Sequence, residues 1–108
     1  ITDFTGAPVF MKENEGGAHE WIFEFSQYPD DLDRFTDAFD EHLKKINSDY
    51  EAKRYNNMTL RRPIVHIAKD NLFYNWLESK GKLGGQNKVP RLSNDREYID
   101  PLLELNRR

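Results

Sequence analysis

The sequence predicts an α+β domain in which a small β-sheet carries helices packed on it. Two runs have the side-chain pattern of strands, and other segments repeat their apolar residues every three or four positions, as amphipathic helices do. The order along the chain is strand, two helices, strand, helix, helix, which is typical of a small sheet covered by helices. A length of 108 residues is the usual size of one domain.

The first 17 residues are punctuated by turn-forming glycine and proline, and we expect a linker or one short edge strand there. Residues 18–108 are predicted to form a single domain. Within residues 20–25 the side chains alternate between two faces, which is the period of a half-buried strand. The core face carries Trp21, Phe23 and Phe25, and the opposite face carries Glu20, Ile22 and Glu24.

The segment after Pro29 predicts an amphipathic helix that Asp30 caps. Acids lie in its first turn and lysines in its last, as the helix dipole prefers. We expect Asp37, Asp40 and Glu41 on its solvated face. Its apolar stripe consists of Leu32, Phe35, Phe39, Leu43 and Ile46.

The middle of the chain predicts a short helix, a strand and a third helix. Ser48 and Glu51 form a capping box at the start of a helix that runs to about residue 55. The β-branched run at residues 63–68 is apolar on both faces, which indicates a central strand with His66 as a hydrogen-bonded core residue. Asp70 is expected to cap a third helix, which ends at Gly81.

The last part of the chain predicts a loop and a final helix. Residues 82–92 show neither strand nor helix period, and long loops between ordered elements are often functional. Asn94 and Glu97 form another capping box, so the final helix is expected to start there. Pro101 must kink or restart that helix.

This loop is the candidate binding site. Gly84 and Gly85 let the backbone approach a ligand closely, and the loop and its flanks carry four positive charges with no acid among them. Lysine and arginine together suit a polyphosphate, but the spacing of a P-loop is missing. A solvated basic loop explains the same composition, so the residues alone leave both interpretations open. The charges are those of Lys80, Lys82, Lys88 and Arg91.

Composition argues against several other functions. The net charge is −3 and no basic face extends beyond the loop, so we expect no nucleic-acid partner. No apolar run approaches the ~20 residues of a membrane span, so we expect no membrane association. Cysteine is absent and His19, His42 and His66 lack the spacing of metal ligands, so no metal site is predicted. The lack of cysteine is compatible with a cytoplasmic protein.

Four segments, in sequence order, resemble the Gretchen Hagen family of acyl-acid amido synthetases. Residues 85–91, Gly-Gln-Asn-Lys-Val-Pro-Arg, are similar to the Gln-x-Lys-x-Pro-Arg block near the end of these enzymes. Residues 19–25 resemble a family strand of alternating aromatic and acidic residues, residues 46–54 resemble its Leu-Asn-Ser-x-Tyr segment, and residues 72–81 resemble the helix before the block. Asn87 stands where plant members commonly have an aromatic residue, and the Gly84-Gly85 pair is similar to a bacterial-type variant.

The resemblance implies an enzyme that uses ATP and Mg to convert a carboxylic acid into an acyl-adenylate and then transfers the acyl group to an amino acid. It also implies the fold of luciferase-like adenylating enzymes, in which a small C-terminal cap swings over an N-terminal adenylation domain of the same polypeptide. This chain would be the cap, and its start at Ile1 rather than Met suits a piece of a longer protein. Alone, it is expected to bind no ATP and to catalyse nothing.

Within that resemblance, Lys88 is implied as the catalytic lysine. The further ATP or phosphate contacts that it implies are Gln86, Arg91, Gly84 and Gly85. A second class of function stays open beside the ligase. In that alternative the chain is a free-standing interaction module, which binds a protein or an anion through residues 82–91.

Overall fold

A computed structural model describes residues 3–10, 16–55, 59–81 and 89–108 of the chain. In these ranges it has three strands and four helices, and none of those helices has the length and apolar character that a bilayer crossing requires. The elements are β1 (Asp3–Val9), β2 (Ala18–Glu24), α1 (Leu32–Ile46), α2 (Ser48–Arg54), β3 (Ile64–Ile67), α3 (Leu72–Ser79) and α4 (Ile99–Arg107). The predicted α+β class, a small sheet with helices packed on it, is confirmed.

β2 is the central strand of the sheet, whose order is β1-β2-β3. β1 runs antiparallel to β2, and β3 runs parallel to it. The prediction of a central strand at residues 63–68 is wrong, because β3 forms a ladder with β2 alone in the described part of the chain. Its β-branched Val65 and Ile67 pack on the aromatic cluster that β2 forms with α1, so ring packing accounts for their apolar character.

β2 is covered on both faces, which corrects the expectation of a half-buried strand. Phe23 is 2% exposed on one face and Ile22 is fully buried on the other. The acids on either side of Ile22 made that face look solvated in the sequence. Both acids have partners there, and the Glu24 carboxylate accepts a hydrogen bond from the Phe73 N–H at 3.4 Å.

One face of the sheet packs against α1 through aromatic rings. Phe35 and Phe39 of α1 each meet Phe23 edge to face, with 5.3 Å between ring centroids. Phe39 meets Trp21 in the same way at 5.1 Å. Such pairs each add about 0.5–1.5 kcal/mol beyond the burial of their area. The predicted core face of Trp21, Phe23 and Phe25 is therefore confirmed.

The other face of the sheet packs against α3 and α4. Its core is aliphatic with two large rings from α3, and it takes in residues from β1, β2 and the last part of the candidate loop. The sheet therefore lies between two helical layers. The buried members of this second core are Ala7, Ile22, Ala68, Leu72, Phe73, Trp76, Val89, Ile99, Leu102 and Leu103.

The caps of the first two helices lie one residue away from the predicted ones. Asp31, rather than Asp30, caps α1 by accepting the backbone N–H three residues later at 3.2 Å. Asn47, rather than Ser48, caps α2 in the same way at 3.1 Å. Asp, Asn and Ser cap helices almost equally well, so the sequence alone does not decide between neighbours of these types.

Asp70 does not cap α3, contrary to expectation. Its carboxylate accepts a hydrogen bond from the Tyr28 hydroxyl, which ties it to the loop after β2. α3 instead follows Asn71, which has a left-handed φ of 64° and gives no side-chain cap. The end of the helix agrees with the prediction, since Gly81 adopts φ 68°, a conformation that glycine reaches without strain.

The predicted capping box of Asn94 and Glu97 is also wrong. α4 begins only at Ile99 and has no side-chain cap. The residues before it form a turn in which the Asp95 carboxylate accepts the Glu97 N–H at 3.0 Å. Pro101 is then the third residue of α4 and lies in its first turn, where proline is tolerated, so the expected kink or restart is not required.

A buried ion pair ties α1 to α2. The Asp40 carboxylate accepts two hydrogen bonds from the Arg54 guanidinium, at 2.8 and 2.6 Å, and one from the Tyr50 hydroxyl at 2.5 Å. Arg54 also donates to the Leu60 carbonyl at 3.2 Å. Asp40 is 4% exposed, so its expected place on a solvated face is wrong. Burial alone would raise the pKa of Asp40, but the hydrogen bonds from Arg54 and Tyr50 hold it below its usual value.

Candidate functional site

The predicted site lies between the end of α3 and the start of α4. Gly84, Gly85, Gln86 and Lys88 fall outside the described residues, so their predicted phosphate contacts stay predictions. Arg91 is described, and so are the flanks on both sides of residues 82–88. These flanks define where the site is attached to the rest of the fold.

On the α3 side, the chain turns at Gly81 immediately after the helix. Lys80, one of the four predicted charges, lies with its Nζ 5.9 Å from the centre of the Trp76 ring. A cavity of about 230 Å³ opens beside it, lined by Trp76, Lys80, Glu97, Tyr98 and Pro101. One predicted cation is therefore placed at a concave surface next to the candidate loop.

On the other side, residues 89–93 lie alongside β1, and we name them the return segment. Val89 is 6% exposed and belongs to the core formed with α3 and α4. The buried Thr5 hydroxyl donates a hydrogen bond to the Pro90 carbonyl at 2.5 Å. The last four residues of the predicted loop, 89–92, are therefore anchored rather than free.

The return segment also pairs with the backbone of β1. The Gly6 N–H donates to the Arg91 carbonyl at 3.0 Å, and the Ser93 N–H donates to the Gly6 carbonyl at 2.9 Å. These bonds make a parallel bridge between Gly6 and Leu92. The bridge adds a short rung to the sheet outside β1, next to the candidate site.

Gly6 is required where β1 meets both the return segment and the core. A Cβ at this position would lie 2.4 Å from Cε3 of the Trp21 ring, a separation that real side chains do not tolerate. The ring covers the backbone of β1 because no side chain keeps it away. Sequence reading took Gly6 as turn punctuation and missed this role, although a lone glycine within a strand is a known sign of close approach.

Arg91 is held at the outer edge of β1 by an acid and a ring. Its Nη1 lies 2.6 Å from the Asp3 carboxylate, and its guanidinium carbon lies 4.6 Å from the centre of the Phe4 ring. The Arg91 side chain is nevertheless 56% exposed. A planar guanidinium presents N–H groups in a geometry that suits the oxygens of a carboxylate or a phosphate.

A second polar cluster, which the sequence analysis missed, lies on the α4 side of the sheet. The Glu20 carboxylate accepts a hydrogen bond from Arg96 at 2.6 Å and lies 2.6 Å from Nε2 of His66. Arg96 also donates to the Pro8 carbonyl at 3.0 Å and to Asp100 at 2.9 Å. The cluster therefore joins all three strands to the start of α4.

The environment of Glu20 keeps it ionised. Burial alone would raise the pKa of Glu20, but its hydrogen bonds with His66 and Arg96 lower it below the usual value. The prediction for His66 is half right, because the ring is hydrogen-bonded but its side chain is 36% exposed and not part of the core. The alternating sequence pattern of β2 predicted that Glu20 and Ile22 lie on one face of the strand, but it did not predict that Arg96 contacts Glu20 there.

The cluster of Glu20, His66 and Arg96 does not have the character of a metal site. In the ranges that the structure describes, no group of three or more His, Cys, Asp or Glu side chains could hold a metal ion. A cavity of about 720 Å³ lies between α1 and α2 and is lined by Glu41, Lys44, Ser48, Glu51, Ala52, Arg54 and Tyr55. The predicted site residues are not part of its lining.

Comparisons with known proteins give one matching family and solved structures with a similar fold. A family model described as the GH3 family C-terminal domain matches residues 1–97. A solved structure of GH3.15 acyl acid amido synthetase superposes with a TM-score of 0.64 at 17% identity, covering 99% of this chain and 19% of that chain. Another, AtGH3.15 acyl acid amido synthetase in complex with 2,4-DB, gives 0.65 at 18% identity, covering 98% and 20%. The chain thus spans about a fifth of the length of these structures. No curated protein sequence matches it.

Proposed function

This chain belongs to the GH3 C-terminal domain family, and we propose that it is the mobile C-terminal domain of an ATP-dependent ligase that joins a carboxylic acid to an amino acid or amine. The observation that carries the proposal is the family match over residues 1–97. The fold likeness to an acyl acid amido synthetase over nearly the whole chain supports it. Its partner is then an N-terminal adenylation domain in the same polypeptide.

The proposed reaction has two steps. In the first, a carboxylate oxygen of the acid attacks the α-phosphorus of ATP, the bond to the β-phosphate oxygen breaks, and pyrophosphate leaves with Mg. In the second, the amine nitrogen attacks the acyl carbon, loses a proton, and expels AMP. Negative charge develops on phosphate oxygens in the first step, so a lysine held beside them stabilises its transition state.

We assign that lysine as Lys88, with Gln86, Gly84 and Gly85 as further phosphate contacts. Arg91 would supply a second cation at the base of the loop. The anchoring of the return segment through Thr5 and Gly6 supports this assignment, because it fixes the backbone only two residues after Lys88. A fixed base reduces the conformational freedom that must be lost when the lysine reaches its ligand.

The test is ATP–pyrophosphate exchange by the full-length protein that carries this domain. Exchange should depend on an added carboxylic acid, and Lys88→Ala should lower its rate by about tenfold or more. Lys45→Ala is the matched control, since Lys45 is an exposed lysine in the last turn of α1. This control should leave the rate unchanged.

Two results would contradict the proposal in different ways. Acid-dependent exchange that survives Lys88→Ala would remove Lys88 from its role while leaving the ligase in place. If no carboxylic acid supports exchange, the ligase function is ruled out. The alternative that then remains is an interaction module that binds a protein or anion through residues 82–91. A bacterial-type origin and a cytoplasmic location belong to the same proposal, and they rest on the Gly84-Gly85 pair and on the absence of cysteine.

A further inference from the structure

Arg91 meets Asp3 at the point where the return segment lies against β1. The backbone of Arg91 is fixed by the Gly6 N–H at 3.0 Å, and its guanidinium lies over the Phe4 ring. Phe4 is itself held between Trp21 and Phe23, with 6.3 and 5.5 Å between ring centroids. The Phe4 ring that contacts the guanidinium is therefore itself fixed by packing.

Asp3 is the acid that this guanidinium contacts in the described part of the chain. The same Asp3 oxygen that meets Arg91 also accepts the Phe4 N–H at 2.9 Å, so the carboxylate is oriented by the backbone of β1. Both groups remain open to solvent, with 56% of the Arg91 side chain and 33% of the Asp3 side chain exposed. A carboxylate and a phosphoryl group present similar oxygens to a guanidinium, so they compete for it.

The geometry points to Asp3 as an internal competitor that occupies Arg91 until a phosphoryl oxyanion displaces it. This inference rests on the proposed function, which supplies a polyphosphate as the ligand. Asp3 keeps the guanidinium paired in the absence of ligand and lowers its affinity for phosphate. The contact then raises the polyphosphate concentration that is needed to engage Arg91.

The size of the effect follows from the exposure of the pair. A solvent-exposed ion pair shifts an equilibrium by up to about fivefold. Removing the negative charge of Asp3 also removes its repulsion of an incoming anion, which acts in the same direction. We therefore expect Asp3→Asn to lower the pyrophosphate concentration for half-saturation of Arg91 by about two- to fivefold.

The experiment follows the Arg91 Nε–H resonance of the ¹⁵N-labelled chain by NMR during titration with inorganic pyrophosphate at constant ionic strength. The wild-type resonance should move at high pyrophosphate, and in Asp3→Asn it should move at the lower concentration given above. Asp3→Glu keeps the charge and should resemble the wild type. Asp49→Asn is the matched control, because it removes the same charge from another exposed pair, with Lys53 on α2 at 3.0 Å, and it should change nothing.

An unchanged or weaker response in Asp3→Asn would overturn the inference, and a weaker one would make Asp3 an orienting residue for Arg91. No response in any variant would overturn it as well. A double variant of Asp3→Asn and Arg91→Ala supplies a further check, with pyrophosphate binding followed by ³¹P NMR. In this variant, pyrophosphate should no longer bind more tightly than it does to the wild type. Because this titration needs no ligase activity, its failure is separable from failure of the exchange assay.

Discussion

Replacing Asp40 by asparagine tests whether the buried ion pair holds α1 and α2 together. Asp40→Asn keeps the shape of the side chain but removes its charge. In the wild type, both carboxylate oxygens accept hydrogen bonds from the Arg54 guanidinium, at 2.8 and 2.6 Å. In the variant an NH₂ group replaces one of these oxygens, so two donors face each other. The variant therefore leaves a buried cation without its carboxylate.

The expected loss of stability follows from this burial. Removing one partner of a buried ion pair costs about 3–5 kcal/mol. We take the lower end, about 3 kcal/mol, because Arg54 keeps its hydrogen bond to the Leu60 carbonyl. With an unfolding entropy of about 2.1 cal/mol/K per residue, this corresponds to a melting temperature lower by about 13 °C.

The assay is thermal and urea unfolding of the wild type, Asp40→Asn and a surface control. Asp49→Asn removes the same charge from a pair whose acid is 75% exposed, and it should change the stability by less than about 0.5 kcal/mol. The pKa of Asp40 is lowered in the folded state, so its contribution is present at neutral pH and is lost as acid protonates it. The difference between wild type and Asp40→Asn should therefore shrink as the pH falls below about 4.

A cost for Asp40→Asn no larger than that of the surface control would refute the reasoning. It would mean that water reaches the pair and screens it. An apolar replacement of both partners supplies a second check, because a well-packed hydrophobic pair is often as stable as a buried ion pair. Such a double variant should be more stable than Asp40→Asn.

Two further predictions concern the sheet. Gly6→Ala places a methyl group 2.4 Å from the Trp21 ring, so we expect a loss of about 1–3 kcal/mol in urea unfolding, and an unchanged midpoint would contradict this contact. Burial and, secondarily, the charge of Lys53 lower the pKa of His19. The folded chain then binds fewer protons than the unfolded chain just below pH about 6.5, so the free energy of unfolding should fall on acidification through that range. The measurement is the urea midpoint on both sides of this pH, and His19→Gln should make the midpoint depend less on pH.

Sequence patterns within a single segment predicted helices and strands well, because those patterns depend on neighbouring residues alone. The alternating rings of β2 were found, and so was the middle of the apolar stripe of α1, where Phe35 and Phe39 meet Phe23. The stripe does not extend to Ile46, which is 67% exposed. The strand order was not found, because a β-branched run reports strand propensity and does not report the number of neighbours. Ile22 was misjudged for a related reason, since the helices that cover it come from later in the chain.

Polar residues were the main source of error. Asp40 lies among other acids in the sequence, and its buried partner Arg54 is 14 residues away on another helix. Asp3 and Arg91 are 88 residues apart, and Glu20 and Arg96 are 76 apart. No periodicity within one element can reveal such pairs. Family resemblance directed attention to the segment around Arg91, whereas the acid that contacts it became visible only in three dimensions.

The pairing of β1 with the return segment has a consequence for how the chain acquires its structure during synthesis. Thr5 and Pro90 are separated by 85 residues, so β1 gains its outer neighbour only after 85 further residues have been synthesised. At translation rates of about 5–20 residues per second, the wait is roughly 4–17 s. During that interval the outer edge of β1 has free N–H and C=O groups, which can template pairing with other nascent chains. Contacts of such high sequence separation also slow folding, so the positioning of Arg91 should be among the latest events in maturation of the domain.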